Sequence, residues 1–263
     1  MVKWNEIIKS EINKTQAVGF ELLKNGMNPK DVRFSFYELF QNLYNFYYRI
    51  YLNQDSRSFK EASDKIYKNI QGQDDKSDKL NMIANANSNL IISTWSIFEL
   101  CISQICKALL DKDSISKLLK SNYNRIMKVL KDSVELGIKD KLLKNHQTKF
   151  IEHVSINLKM DKIFSLMKYE NYKRDKEFLL FYGKLRNSIH SNYVYYGNPY
   201  KYNFKDHEFI FTPNRPIKQK PINWEQDLTI FYLTVELKEV YSRIINNFNY
   251  QELIFDPSYA DKK

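Results

Sequence analysis

The stretch NLIISTWSIFELCISQICKALL, Asn89 to Leu110, constrains the fold of this chain more than any other. It is apolar almost throughout and is about as long as the roughly 20 residues that cross a bilayer. Glu99, Gln104 and Lys107 interrupt it, however, and such groups are costly in lipid. A helix at the centre of a protein core is therefore expected, and other helices must supply the apolar faces that surround it. The chain has 263 residues, ample for a substantial core. Its six Gly and six Pro are too few for a turn-rich sandwich or barrel, so an all-α fold is expected. Cys101 and Cys106 lie within the apolar stretch at a spacing that suits neither a redox CxxC pair nor a zinc half-site. They read as small core residues kept reduced.

Periodicity and stop signals divide the chain further. Trp4 to Asn25 reads as a helix ended by Gly26, and Asp31 is placed to cap the next. In FSFYELFQNLYNFYYRIY the residues Tyr37, Phe40, Tyr44, Tyr47 and Tyr51 fall on one helix face. Stacking on bases would need such rings exposed among basic groups, and only Arg49 is close, so a core-facing stripe is expected. The polar run QGQDDKSD, Gln71 to Asp78, separates this N-terminal helical extension, residues 1–75, from a helical bundle over residues 79–255. Within the bundle, helices are expected over Lys79–Asp111, Ser114–Ser133, Lys139–Tyr169 and Lys176–Tyr193. KYNFKDHEFIFTPNRPI then alternates in short runs, as a small β-hairpin would, with His207 in its turn. Asn223 to Phe248 returns to helix, its apolar stripe made by Trp224, Leu228, Phe231, Tyr232, Val235, Leu237 and Val240.

The charge balance is 41 Lys and Arg against 31 Asp and Glu, a net of +10, which would speed encounter with an anionic partner such as RNA. The competing explanation is a Lys-, Asn-, Ile- and Tyr-rich compositional bias, and no block of consecutive basic residues marks a binding tail. The N-terminus, MVKWNEIIKSEINK, lacks the apolar run and cleavage site of a signal peptide, so a cytoplasmic protein without a membrane association is expected.

Chemistry has few places to reside. The four histidines, His146, His153, His190 and His207, form no HxxxH or HExxH pair, and neither a Gly-rich phosphate loop nor a GxSxG elbow is present. A metal or cofactor is therefore not expected. His146 and His153 fall in a Lys-rich segment and read as surface residues. His190 has different company, in KLRNSIHSNYVYYG, Lys184 to Gly197. On a helix, Phe178, Tyr182, Leu185 and Ile189 share an arc, with Arg186 and His190 together on its flank. Metal-free RNA cleavage needs such a pair: imidazole to move a proton, guanidinium to hold charge growing on the phosphate. Asn187 and Asn192 could orient phosphate or ring. The plainer reading of the same residues is a polar helix end with a hydrogen-bonded histidine.

LRNSIHSN resembles the signature helix of the HEPN superfamily, the higher eukaryotes and prokaryotes nucleotide-binding domain. These are helical bundles in which an Arg and a downstream His form a metal-independent ribonuclease site. The apolar stretch interrupted by Glu99 is similar to an earlier bundle helix of that superfamily, and the order of motif helix, hairpin and last long helix resembles a bacterial branch of it. The likeness spans roughly Lys79 to Phe255. It implies an endoribonuclease of a bacterial defence or toxin–antitoxin system, with Arg186 and His190 catalytic, a homodimer completing the site, and an antitoxin or defence protein as a further partner. Two departures stand out: only three residues separate Arg186 from His190, fewer than is usual in the superfamily, and the tyrosine after the histidine is displaced to Tyr193. Glu99, on the apolar side of its own helix, is expected to face Arg186 across the bundle, since a buried carboxylate needs a partner; the alternative is a Glu at the rim of a helix interface with its head in water. The rival reading is a non-catalytic helical module that binds RNA, a nucleotide or a protein through the same surface. A third, a helical toxin acting on membranes, requires Asn89–Leu110 to face lipid.

Overall fold

In the computed structural model, Asp31 does what its position suggests: its Oδ1 accepts the backbone N–H of Arg33 at 2.9 Å, capping the second helix. The structure describes residues 4–53, 75–131, 154–167, 170–220, 228–248 and 252–260. Among these, the helices are α1 (Trp4–Lys24), α2 (Val32–Asn53), α3 (Asp75–Leu109), α4 (Lys112–Lys131), α5 (Ile156–Leu166), α6 (Tyr172–His190) and α7 (Thr229–Asn246). The fold is mostly helical, with a small antiparallel β region before the last long helix.

The apolar stretch is the middle of the core. Ile91, Trp95, Phe98, Cys101, Ile102 and Cys106 are all buried on α3, and both cysteines are free thiols. By length and composition Ala84–Leu109 could cross a membrane, but 61% of its most apolar window is buried against the rest of the chain. α2 covers one side with Tyr37, Phe40, Tyr44 and Tyr47, all buried as the periodicity predicts, together with Phe36. Phe36 stacks on Tyr241 of α7 at 3.6 Å between ring centroids, and Tyr241 in turn meets Phe98 edge-on. One buried cluster thus includes side chains from both sides of the boundary drawn near residue 75. The end of the chain reaches the same region. Val32 N–H donates to the Ile254 carbonyl at 2.8 Å, and Asp256 N–H donates to that of Lys30 at 2.9 Å. Arg33 also reaches the Glu252 carbonyl at 2.8 Å.

The β region is larger than a hairpin. Strands β2 (Tyr200–Phe204) and β3 (His207–Phe211) pair antiparallel, joined by Lys205 and Asp206, and β5 (Lys218–Lys220) adds to β3. β1 (Val194–Tyr195) pairs separately with β4 (Arg215–Pro216). His207 opens β3 instead of sitting in the turn, and its Nδ1 lies 3.1 Å from Gln219 Nε2 on β5. The sheet packs on α6 through aromatic rings: Phe181 stacks on Tyr202 at 4.2 Å and meets Phe209 and Phe211. α6 begins at Tyr172, earlier than the pattern suggests, and stops at His190. His146, His153 and Trp224, and most of the helix expected over Lys139–Tyr169, lie outside the described residues.

Candidate functional site

Two interactions set how the motif helix lies on the core. Tyr182 stacks on Trp95 at 5.5 Å and shares a 2.7 Å hydrogen bond with Thr94 Oγ1; beyond the end of α6, the Tyr193 hydroxyl is bonded to Ser88 Oγ. As the chain advances along α6, its partners on α3 recede, so the helices run antiparallel. Gly183 permits the close approach, since a Cβ there would come within 3.3 Å of the Trp95 ring. Phe178, Tyr182 and Leu185 are buried and Ile189 is half-buried, in agreement with the expected arc.

Arg186 lies on the flank of that arc and is half-buried. Its Nη1 donates to Asn187 Oδ1 at 3.0 Å, while its Nε is enclosed and makes no hydrogen bond among the described residues. Asn187 is exposed and so is His190, in the last turn of the helix, one turn beyond Arg186. The His190 side chain has no hydrogen bond or ion pair among the described residues. The hydrogen-bonded histidine of the plainer reading is therefore not what is observed. Arg186, Asn187 and His190 occupy one open helix end, with a guanidinium steadied by a neighbouring amide and an imidazole left to meet solvent or a ligand.

Glu99 does not belong to this group. Among the described residues it forms no ion pair with Arg186, which corrects the expected pairing. The antiparallel register is the reason. Tyr182 is level with Trp95, so Arg186 is level with about Ile91, eight residues and about 12 Å along α3 from Glu99. Glu99 is half-buried, and its carbonyl accepts the Ser103 hydroxyl at 2.6 Å.

The chain leaves α6 abruptly. Ser191 N–H closes on the carbonyls of Asn187 and Ser188, and Asn192 and Tyr193 then both take left-handed backbone, φ 53° and 65°. Val194 N–H returns to the Ser191 carbonyl at 3.0 Å, completing a tight reversal into β1. Lys184 Nζ donates to the Tyr195 hydroxyl at 3.0 Å, and that hydroxyl donates to the Asn198 carbonyl at 2.8 Å, which holds the following loop against α6.

This reversal forms one side of a partly open cavity of about 470 Å³ between α3, the end of α6, the sheet and α7. Asn192 lines the cavity and does not join the Arg186 cluster through any hydrogen bond among the described residues. Asn87, Ser88 and Tyr193 line it too, and nothing in the sequence singles them out as a site. Residue spacing carries no such signal, because the three converge only through the antiparallel packing of α3 on α6. Among the described residues no group of three His, Cys, Asp or Glu side chains is placed to hold a metal ion. No model of a known protein family, no curated protein and no solved structure matches the chain.

Proposed function

We propose that this protein is a HEPN-like, metal-independent endoribonuclease whose site is built on Arg186 and His190. The observation that carries the reading is the pairing of an exposed imidazole, unbonded among the described residues, with a guanidinium one helical turn away that a neighbouring amide steadies. In the reaction the 2′-hydroxyl of the RNA attacks its adjacent phosphate. His190 moves a proton at the attacking or the leaving oxygen, and Arg186 holds the charge that accumulates on the non-bridging oxygens. The P–O5′ bond breaks, leaving a 2′,3′-cyclic phosphate and a 5′-hydroxyl. A homodimer, implied by the resemblance, would bring two Arg/His pairs together so that one imidazole serves as base and the other as acid. Asn187 supports Arg186. The setting that fits is a cytoplasmic bacterial defence or toxin–antitoxin system with a controlling partner protein.

The short spacing between Arg186 and His190 favours a second reading, a helical module that binds RNA, a nucleotide or a protein without cleaving it. Cleavage of total RNA in EDTA by the purified protein separates the two. Arg186→Ala and His190→Ala should each lower the rate by about 100-fold or more. Arg186→Lys should recover little, because a point charge replaces a planar fork. Equal cleavage by wild type and both alanine variants would remove the site from Arg186 and His190.

A further inference from the structure

Among the described residues, none that lines the cavity beside the motif is acidic or basic. Its wall is made by Ile91, Leu185, Ile189, Phe209, Ile217 and Ile230, so whatever fills it is largely apolar over its faces. Yet carboxamide side chains also line it: Gln219 is engaged with His207, while Asn87 and Asn192 have hydrogen-bonding groups to spare among the described residues. Asn87 uses its Oδ1 to accept the Tyr47 hydroxyl, and its NH2 group has no partner among the described residues. Asn192 makes no side-chain hydrogen bond among them either. An aliphatic ligand would leave these donors and acceptors idle. A phosphate or carboxylate inside the cavity would find no cation among the described lining residues. Carboxamides paired with apolar walls instead match a flat, uncharged heteroaromatic ring whose edge carries both donors and acceptors.

We propose that the cavity binds a nucleobase of the RNA, with the sugar and phosphate emerging toward Arg186 and His190. Ile189 and Asn192, both in the lining, flank His190 in the chain, so the cavity and the exposed His190 share the same helix end, which is where the proposal puts the sugar and phosphate. Unstacked single-stranded RNA presents bases in the manner required. The volume, about 470 Å³, lies in the range of small-molecule sites and is ample for a base. The site thus selects the nucleotide at the cleaved bond and places it. This rests on the ribonuclease reading for its purpose, though not for the binding itself.

The test uses the full chain carrying His190→Ala, which separates binding from turnover. Adenosine, guanosine, cytidine and uridine are titrated by ligand-observed NMR, with indole as an apolar control. The expected result is saturable binding of at least one nucleoside, at least tenfold tighter than indole. It should be weakened at least tenfold by Ile217→Trp, which fills the cavity, and by Asn87→Leu, which keeps the shape and removes the amide. Cooperative thermal unfolding identifies variants that fold, and either variant suffices. No nucleoside binding by the folded protein, or indole binding equally well, overturns the proposal. Cleavage by wild type without nucleoside binding or base preference also defeats the cavity assignment and spares the ribonuclease reading. Nucleoside binding by a protein that never cleaves RNA supports the cavity and defeats that reading.

Discussion

Tyr193 holds φ at 65° directly after Asn192 at 53°, and the left-handed region is far costlier for tyrosine than for asparagine or glycine. Its hydroxyl, bonded to Ser88, offsets that cost and ties the end of the motif helix to α3. Tyr193→Ala removes the tie and keeps the strain, whereas Tyr193→Gly removes both. The glycine variant should therefore be more stable than the alanine variant by about 1 kcal/mol in chemical denaturation, against the usual order of the two residues. Equal stabilities would show that the turn is not held in the left-handed conformation. Arg186 presents the opposite case, a charged group whose surroundings are only half satisfied. Its Nε is enclosed without a hydrogen bond among the described residues, and Asn187 alone steadies the guanidinium. Asn187→Ala should accordingly weaken the proposed RNA cleavage less than Arg186→Ala while leaving the protein folded, a difference read from rates in the same EDTA assay.

Helix α1 is tied to α7 by a buried ion pair: Lys238 donates to Glu11 and lies 3.4 Å from Thr15 Oγ1. Both charged side chains are nearly sealed from water, and removing Lys238 leaves Glu11, among the described residues, with only the exposed Lys14, 3.6 Å away, as a charged partner. Lys238→Met should cost about 3–5 kcal/mol in urea denaturation, and adding Glu11→Leu should recover much of it. A double variant no better than the single would mean that packing, not charge, sets the loss. Much at this scale is legible in the sequence. The aromatic stripe of α2 and the buried α3 follow from periodicity, and Asp31 caps its helix by ordinary side-chain chemistry. Arg186 and His190 are legible as neighbours because four residues make about one helical turn. What stays hidden depends on register between distant segments. Glu99 reads as a partner for Arg186 because a helical wheel gives a direction around one axis and no height along it. The cavity joins α3, α6, the sheet and α7, and no local pattern encodes that meeting.

At the scale of the whole molecule, the described core includes the phenolic side chains of Tyr37, Tyr44, Tyr182 and Tyr241, which burial keeps uncharged. Burial pushes Tyr37 from 10.0 up to about 12 and Cys106 from 9.0 up to about 12; it raises Tyr44, Tyr182 and Tyr241 still further. Each raised group leaves stability unchanged below its ordinary value. Above that value the unfolded chain releases a proton that the folded chain keeps, so unfolding becomes easier as pH climbs. Urea midpoints should be flat between about pH 7 and 9 and fall steeply from there toward pH 12, each such group adding about 1.4 kcal/mol per pH unit to the slope. A flat profile to pH 11 would mean that these hydroxyls are not buried. The last described residues hold the molecule together at its other end, where Ile254 bridges to Val32 and Asp31. Function makes its sharpest demand on chemistry instead: the proposed reaction needs a 2′-hydroxyl next to the cleaved bond and no metal. The most direct measurement takes an oligonucleotide that the protein cuts at one position in EDTA and compares it with a copy carrying a single 2′-deoxy substitution there. The account predicts cleavage of the first to a 2′,3′-cyclic phosphate and a 5′-hydroxyl, and no cleavage at that bond in the second; cutting at the deoxy position, or products ending in 5′-phosphate, would contradict it.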